Sequence, residues 1–105
     1  MPQYQVYVNP SPRSRDSVPY VVDIQSALLD TLPTRLTMPL SRIGVDQAGM
    51  SRRLIPHFVI EGERLALLPH AAAGIDARLL RKSVASLAQH VDEIRDALDA
   101  VVSGI

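Results

Sequence analysis

His57, His70 and His90 are the residues through which this sequence would most readily do metal or acid–base chemistry, and their spacing argues against it. They lie far apart, and no HExxH-type pair puts two imidazoles one helical turn from each other, as a zinc site on a helix needs. His57 alternates with apolar neighbours in a strand-like run, so a structural histidine whose ring is satisfied by hydrogen bonds is expected there. Gly44 and Gly49 stand alone, without a phosphate-cradling glycine loop. There is no GxSxG elbow to activate a serine. Asp92 and Asp96 sit one turn apart on a helix-like stretch, where paired carboxylates on an exposed face solubilise more often than they catalyse. Arg13, Arg15, Arg42, Arg52 and Arg53 form a phosphate-binding surface only if the fold gathers them; scattered solvation is the simpler reading.

The elements that would position these residues follow from periodicity. "QYQVYVN" alternates Tyr4, Val6 and Val8 against Gln3, Gln5 and Tyr7, and "YVVDIQ" is rich in β-branched and aromatic residues. Between them lies "NPSPRSRDSVP", a polar, proline-rich loop expected to have a mobile tip on a long antiparallel pair. "RLTMPL" alternates Leu36, Met38 and Leu40, and its Pro39 is expected at an edge or strand end, because proline has no N–H for the ladder. "SRIGVDQAGMS" reads as a loop. "LIPHFVIEGERLALLPH" reads as a tight hairpin turning at Glu61 and Gly62, with Gly62 at positive φ.

From Leu87 the period changes: Leu87, Val91, Ile94, Leu98 and Val101 follow spacings of 4, 3, 4 and 3. This is one stripe of an amphipathic helix of about four turns, facing the core. Residues 75–86 fit either a short helix capped by Asp76 or a last strand. Asp96 and Asp99 crowd the negative end of the helix dipole, where exposed carboxylates cost a few tenths of a kcal/mol each. They are either a solvated face or an acidic surface kept for a basic partner.

Composition narrows the class. The chain has 105 residues, 47% hydrophobic, with few aromatics and no cysteine, so one aliphatic core spanning 1–105 is expected, without disulfides or thiolate metal sites. Eleven basic residues balance eleven acidic ones, so net charge favours no polyanionic partner. No apolar run approaches the roughly 20 residues of a membrane span, and the start "MPQYQVYVNP" lacks a signal-peptide pattern. A cytoplasmic protein is expected.

Taken together, "QVYVN", "VVDIQSALLDT", "RLTMPL", "SRRLIPHFVIEGE" and "DEIRDALDAVVSGI" resemble, in collinear order, the CcdB family of plasmid and chromosomal toxins. The resemblance implies a mainly β fold: an SH3-like antiparallel sheet or barrel, a small second sheet and one C-terminal helix, assembled as a homodimer. It also implies a type II toxin–antitoxin system with roles in plasmid maintenance and transcription autoregulation. Such a toxin is no enzyme and uses no cofactor. It binds the GyrA subunit of DNA gyrase, traps the cleaved-DNA complex, is neutralised by a CcdA-type antitoxin, and meets operator DNA only through that antitoxin.

On this resemblance Leu28 and Leu29 take the place of an apolar pair near gyrase, and Gly104 and Ile105 match the family's end. Ser103 stands where toxic members carry tryptophan, Val102 where phenylalanine is expected and Asp99 where asparagine is expected. An aromatic anchor is missing, so gyrase poisoning is expected to be attenuated. Antitoxin contacts are expected at Asp92, Glu93, Asp96 and Asp99, at Arg13 and Arg15 in the loop after Asn9, and at the hairpin around Glu61 and Gly62. Two alternatives are a homologue that binds antitoxin without killing, and an endoribonuclease toxin of the MazF type.

Overall fold

A computed structural model describes residues 1–104, apart from the side chain at position 46. Among the described residues seven antiparallel strands form one curled sheet: β1 (Gln5–Val8), β2 (Tyr20–Asp23), β3 (Thr34–Arg42), β4 (His57–Ile60), β5 (Glu63–Leu67), β6 (Ala73–Asp76) and β7 (Ser83–Ser86). The order across it is β4-β5-β3-β2-β1-β7, and β6 branches off β3. The fold is mainly β with one long C-terminal helix, as expected. The small second sheet is this branch, which shares β3 instead of standing apart.

The long hairpin forms, with Val6 opposite Val22 and Val8 opposite Tyr20. Its faces differ from the alternation read in the sequence. Val6 and Tyr7 are both buried, and Val8 is exposed. The sheet is covered on both sides here: Val6 joins the main core with Val22, Met38, Leu40, Leu65 and Ile94, while Tyr7 packs with Val21 and Leu80 on the other face. Burial is also what raises the Tyr7 hydroxyl above its ordinary pKa, helped by the nearby Asp23 charge.

Pro39 lies inside β3, not at an edge or end. Its neighbours on one side are Met38 and Leu40, paired to β2. On the other side β3 pairs with β6 through residue 37 and with β5 from residue 40. Pro39 falls at that change of partner, so the N–H it lacks faces a break in the ladder, and its carbonyl still accepts from Leu68 N at 3.0 Å.

The loop after β3 contains a single helical turn, α1 (Val45–Ala48), between Gly44 and Gly49; the glycines bound a turn that their composition alone does not reveal. The β4–β5 hairpin is as expected. Glu61 (φ 51°) joins Gly62 (φ 80°) in the left-handed region, the signature of a type I′ turn. Residues 75–86 resolve into both alternatives: β6 ends at Asp76, whose carboxylate caps a 3-10 turn at Ala77–Leu79, and β7 follows.

Helix α2 (Val91–Ser103) begins after a 3-10 turn at Ala88–His90, later than the stripe from Leu87 predicts. Its buried residues are Ile94, Ala97 and Ala100, while Leu98 and Val101 are half-buried. The seam is therefore rotated toward the alanines, whose small size lets the helix sit close on the turn Pro69–Ala71. Asp92 and Glu93 lie in the first turn, where the dipole favours them. Among the described residues no helix is long and apolar enough to cross a membrane.

Candidate functional site

Two exposed apolar points stand on rigid supports, and both coincide with residues singled out in the sequence. The first is the 3-10 turn Ala27–Leu29, where Leu28 is 92% exposed and Leu29 49%. Ser26 Oγ caps the turn by accepting from Leu28 N at 3.2 Å. Behind it lies a buried polar clamp that sequence reasoning missed. Arg35, only 2% exposed, donates from Nε to Asp23 Oδ2 at 2.8 Å, from Nη1 to Asp30 Oδ1 at 2.6 Å and from Nη2 to Gln25 O at 3.2 Å. Gln25 completes it: Nε2 donates to Leu29 O at 2.9 Å, and Oε1 accepts from Leu36 N at 2.8 Å.

The clamp explains how a turn can leave a leucine in water. Its backbone and flanks are held by a fully buried carboxylate and a nearly buried guanidinium, so Leu28 has little freedom to fold inward. The Arg35 hydrogen bond holds the Asp30 carboxyl below the usual carboxylate range. A signal for it exists in "VVDIQ" and "TRLT": a charged or amide residue inside an apolar strand run implies a buried partner.

The second point is the end of α2. Val102 is 76% exposed. Ser103 is exposed, and its Oγ donates back to Asp99 O, one turn earlier in the same helix, at 2.5 Å. Gly104 takes φ +74° and closes the helix through its N–H to Ala100 O at 2.9 Å. Only glycine adopts that left-handed C-terminal position without strain, which gives this glycine a structural reason for being where it is. Ile105, also expected at the gyrase-facing end, lies outside the described residues. Arg53, Asp96, Asp99 and Ser103 line one small cavity of about 280 Å³, and Ser51, Leu54, Ala100 and Gly104 line another beside it. The loop before β4 thus forms a wall against the helix end, a neighbour that the sequence did not reveal.

The other expected residues fall elsewhere. Asp92 and Glu93 are exposed at the start of α2, where Glu93 Oε1 lies 2.9 Å from His90 Nδ1. Arg15 donates to Asn9 O at 2.9 Å, in a loop fastened by the buried Asn9, whose Nδ2 donates to Ser14 Oγ and Val18 O. Its base is more ordered than a mobile proline-rich tip implies. Arg13 is exposed in the same loop. Arg42 donates to Glu63 at 2.9 Å and to Asp16 O, so it belongs to a surface pair and not to a cluster with Arg52 and Arg53.

His57 departs from its expected satisfied state. Among the described residues neither ring nitrogen finds a hydrogen-bond partner, although both atoms are buried. Burial, with Arg52 and Arg64 nearby, lowers its pKa. Among the described residues there is no group of three or more histidine, aspartate or glutamate side chains that could hold a metal.

What the two apolar points can do chemically is bind. A projecting leucine and valine, each on a pre-ordered turn or helix end, offer little to a small substrate but suit burial against another protein. Burying one such side chain fully is worth about 1.5–3 kcal/mol. A family model described as CcdB protein matches residues 3–104 of the chain.

Proposed function

This chain belongs to the CcdB family, and from that premise we propose that it is the toxin of a type II toxin–antitoxin pair, a cytoplasmic homodimer that binds the GyrA subunit of DNA gyrase. It acts by holding the gyrase complex with cleaved DNA, without catalysis of its own, and a CcdA-type antitoxin neutralises it. The observation that carries the gyrase surface is Leu28, 92% exposed on a turn held by the buried Arg35 clamp. Val102 and the Gly104 cap at the end of α2 supply its other part.

Ser103 favours a second form of this reading. Its hydroxyl is bound to Asp99 O, so the position supplies neither aromatic area nor a cation–π partner. The toxin is accordingly attenuated against gyrases suited to an aromatic anchor, and its retained role is antitoxin binding. Asp92, Glu93, Asp96 and Asp99 then face basic residues of the antitoxin.

The deciding experiment is a plasmid-cleavage assay with purified protein, ATP and gyrase from the same host. Linear DNA that accumulates with added protein supports poisoning through a co-adapted partner. Supercoiled product alone rejects it for that host. Neutralising the four helix acids should then weaken antitoxin binding and flatten its salt dependence.

A further inference from the structure

The outer face of the sheet carries a feature that the gyrase reading does not use. Val8, Pro10, Arg15, Leu79, Arg81 and Lys82 line a cavity of about 390 Å³ together with Asn9. A second cavity of about 350 Å³ shares Asn9, Pro10 and Leu79 with it and continues to Gly74 and Asp76. The two make one groove between the loop after β1 and the segment from β6 to β7. Three cations stand in its first half. The Asp76 carboxylate in its second half is already engaged by Arg78, at 2.7 Å to Nη2.

The groove also contains a free strand edge. Ile24 N donates to Leu36 O at 2.9 Å, so the peptide groups of Leu36 face β2 and not β6. Leu36 is the partner of Gly74, which is therefore a non-hydrogen-bonded pair, and the Gly74 N–H and C=O point outward from β3. Among the described residues β6 pairs with no strand but β3, which leaves this edge open, and no atom lies within 4 Å of where a Cβ on Gly74 would be, so the sheet face beside it is uncovered as well.

We infer that this groove binds an extended acidic segment of a partner polypeptide, which adds to the edge of β6 at Gly74 and places carboxylates against Arg15, Arg81 and Lys82. A polypeptide fits better than a nucleic acid for two reasons. The wall carries exposed apolar surface at Val8 and Leu79 between the cations, and an unpaired strand edge recognises a peptide backbone. On the toxin reading, on which this inference rests, that segment belongs to the antitoxin. It is a contact separate from the acidic face of α2, and its charge is opposite.

The test is fluorescence anisotropy with a labelled peptide comprising the disordered tail of the cognate antitoxin, on the full chain and on the triple variant R15S/R81S/K82S. The variant is expected to bind about 3- to 100-fold more weakly, with a shallower salt dependence. Hydrogen exchange on the unaltered protein should show the Gly74 amide protected when the tail is bound. Equal binding by the variant with Gly74 unprotected overturns the groove and leaves the toxin reading standing. A tail that fails to bind the unaltered protein overturns both. If single-stranded poly(U) binds through the three cations while the tail leaves Gly74 unprotected, the groove is a nucleic-acid surface and the peptide assignment falls.

Discussion

Replacing Arg35 with methionine removes the cation that, among the described residues, pairs with Asp23, whose side chain is fully buried. Methionine roughly fills the space of the aliphatic stem, so the change isolates the charge. Breaking a buried pair by removing one member costs about 3–5 kcal/mol, because the remaining ion stays desolvated. A chain of this size has about 5–15 kcal/mol in all, so R35M is expected to lose about a fifth or more of its stability. Urea unfolding followed by far-UV circular dichroism, at one fixed protein concentration because the proposed dimerisation would shift the midpoint, should show a midpoint lowered by about 1–5 M. The double variant R35M/D23L should recover most of the loss, since two apolar residues leave no buried charge. The 26–30 turn should meanwhile become sensitive to protease in R35M. A loss below about 1 kcal/mol would refute the clamp as the support of Leu28.

Three further outcomes rest on the geometry. Ser103→Trp restores an aromatic end to α2 and should tighten binding to GyrA about 2- to 30-fold by calorimetry, the range of a cation–π contact; unchanged affinity would show that the missing anchor is not what limits binding. His57 has its pKa lowered in the folded state from 6.5, so the unfolded chain takes up the proton first; stability should fall as pH drops below about 6.5, before carboxylates titrate, and His57→Leu should flatten that limb of the pH profile. Gly62→Ala should cost about 1–2 kcal/mol in chemical denaturation even though a Cβ there meets no atom within 4 Å, because the cost is the left-handed backbone itself.

The parts legible in the sequence are those that one local rule decides. The Glu61–Gly62 hairpin is legible because a two-residue turn between apolar runs has few solutions, and the C-terminal helix because a stripe spaced 4 and 3 has only one. Local rules fail where a second layer enters. Alternation puts Tyr7 on a polar face because it assumes one solvated side, whereas the 75–80 segment covers that side. It puts Pro39 at an edge because sequence shows a proline but not the two partners that leave a break beside it. The helix seam shifts to Ala97 and Ala100 because close packing selects small residues that hydrophobic spacing undercounts. At the candidate site, Leu28 and Val102 are named only through the family resemblance; polar residues inside apolar runs mark Asp23, Gln25 and Arg35 as needing buried partners but not that they meet one another, and the place of Arg53 beside the helix end depends on a contact between distant parts of the chain.

Pro39 has one more effect, on folding fidelity. β3 is nine residues long and lends different halves of one side to β5 and β6. A strand with two successive partners is prone to sliding, and a slip of two residues would keep every side chain on its proper face and so escape correction by burial. It would, however, put the proline opposite β5 or β6, where an N–H must donate. The residue that looks like a defect in the strand works as an index mark: the ladder closes in only one alignment, and the Leu28 turn and the β6 edge, both fastened to this strand, take their positions from it.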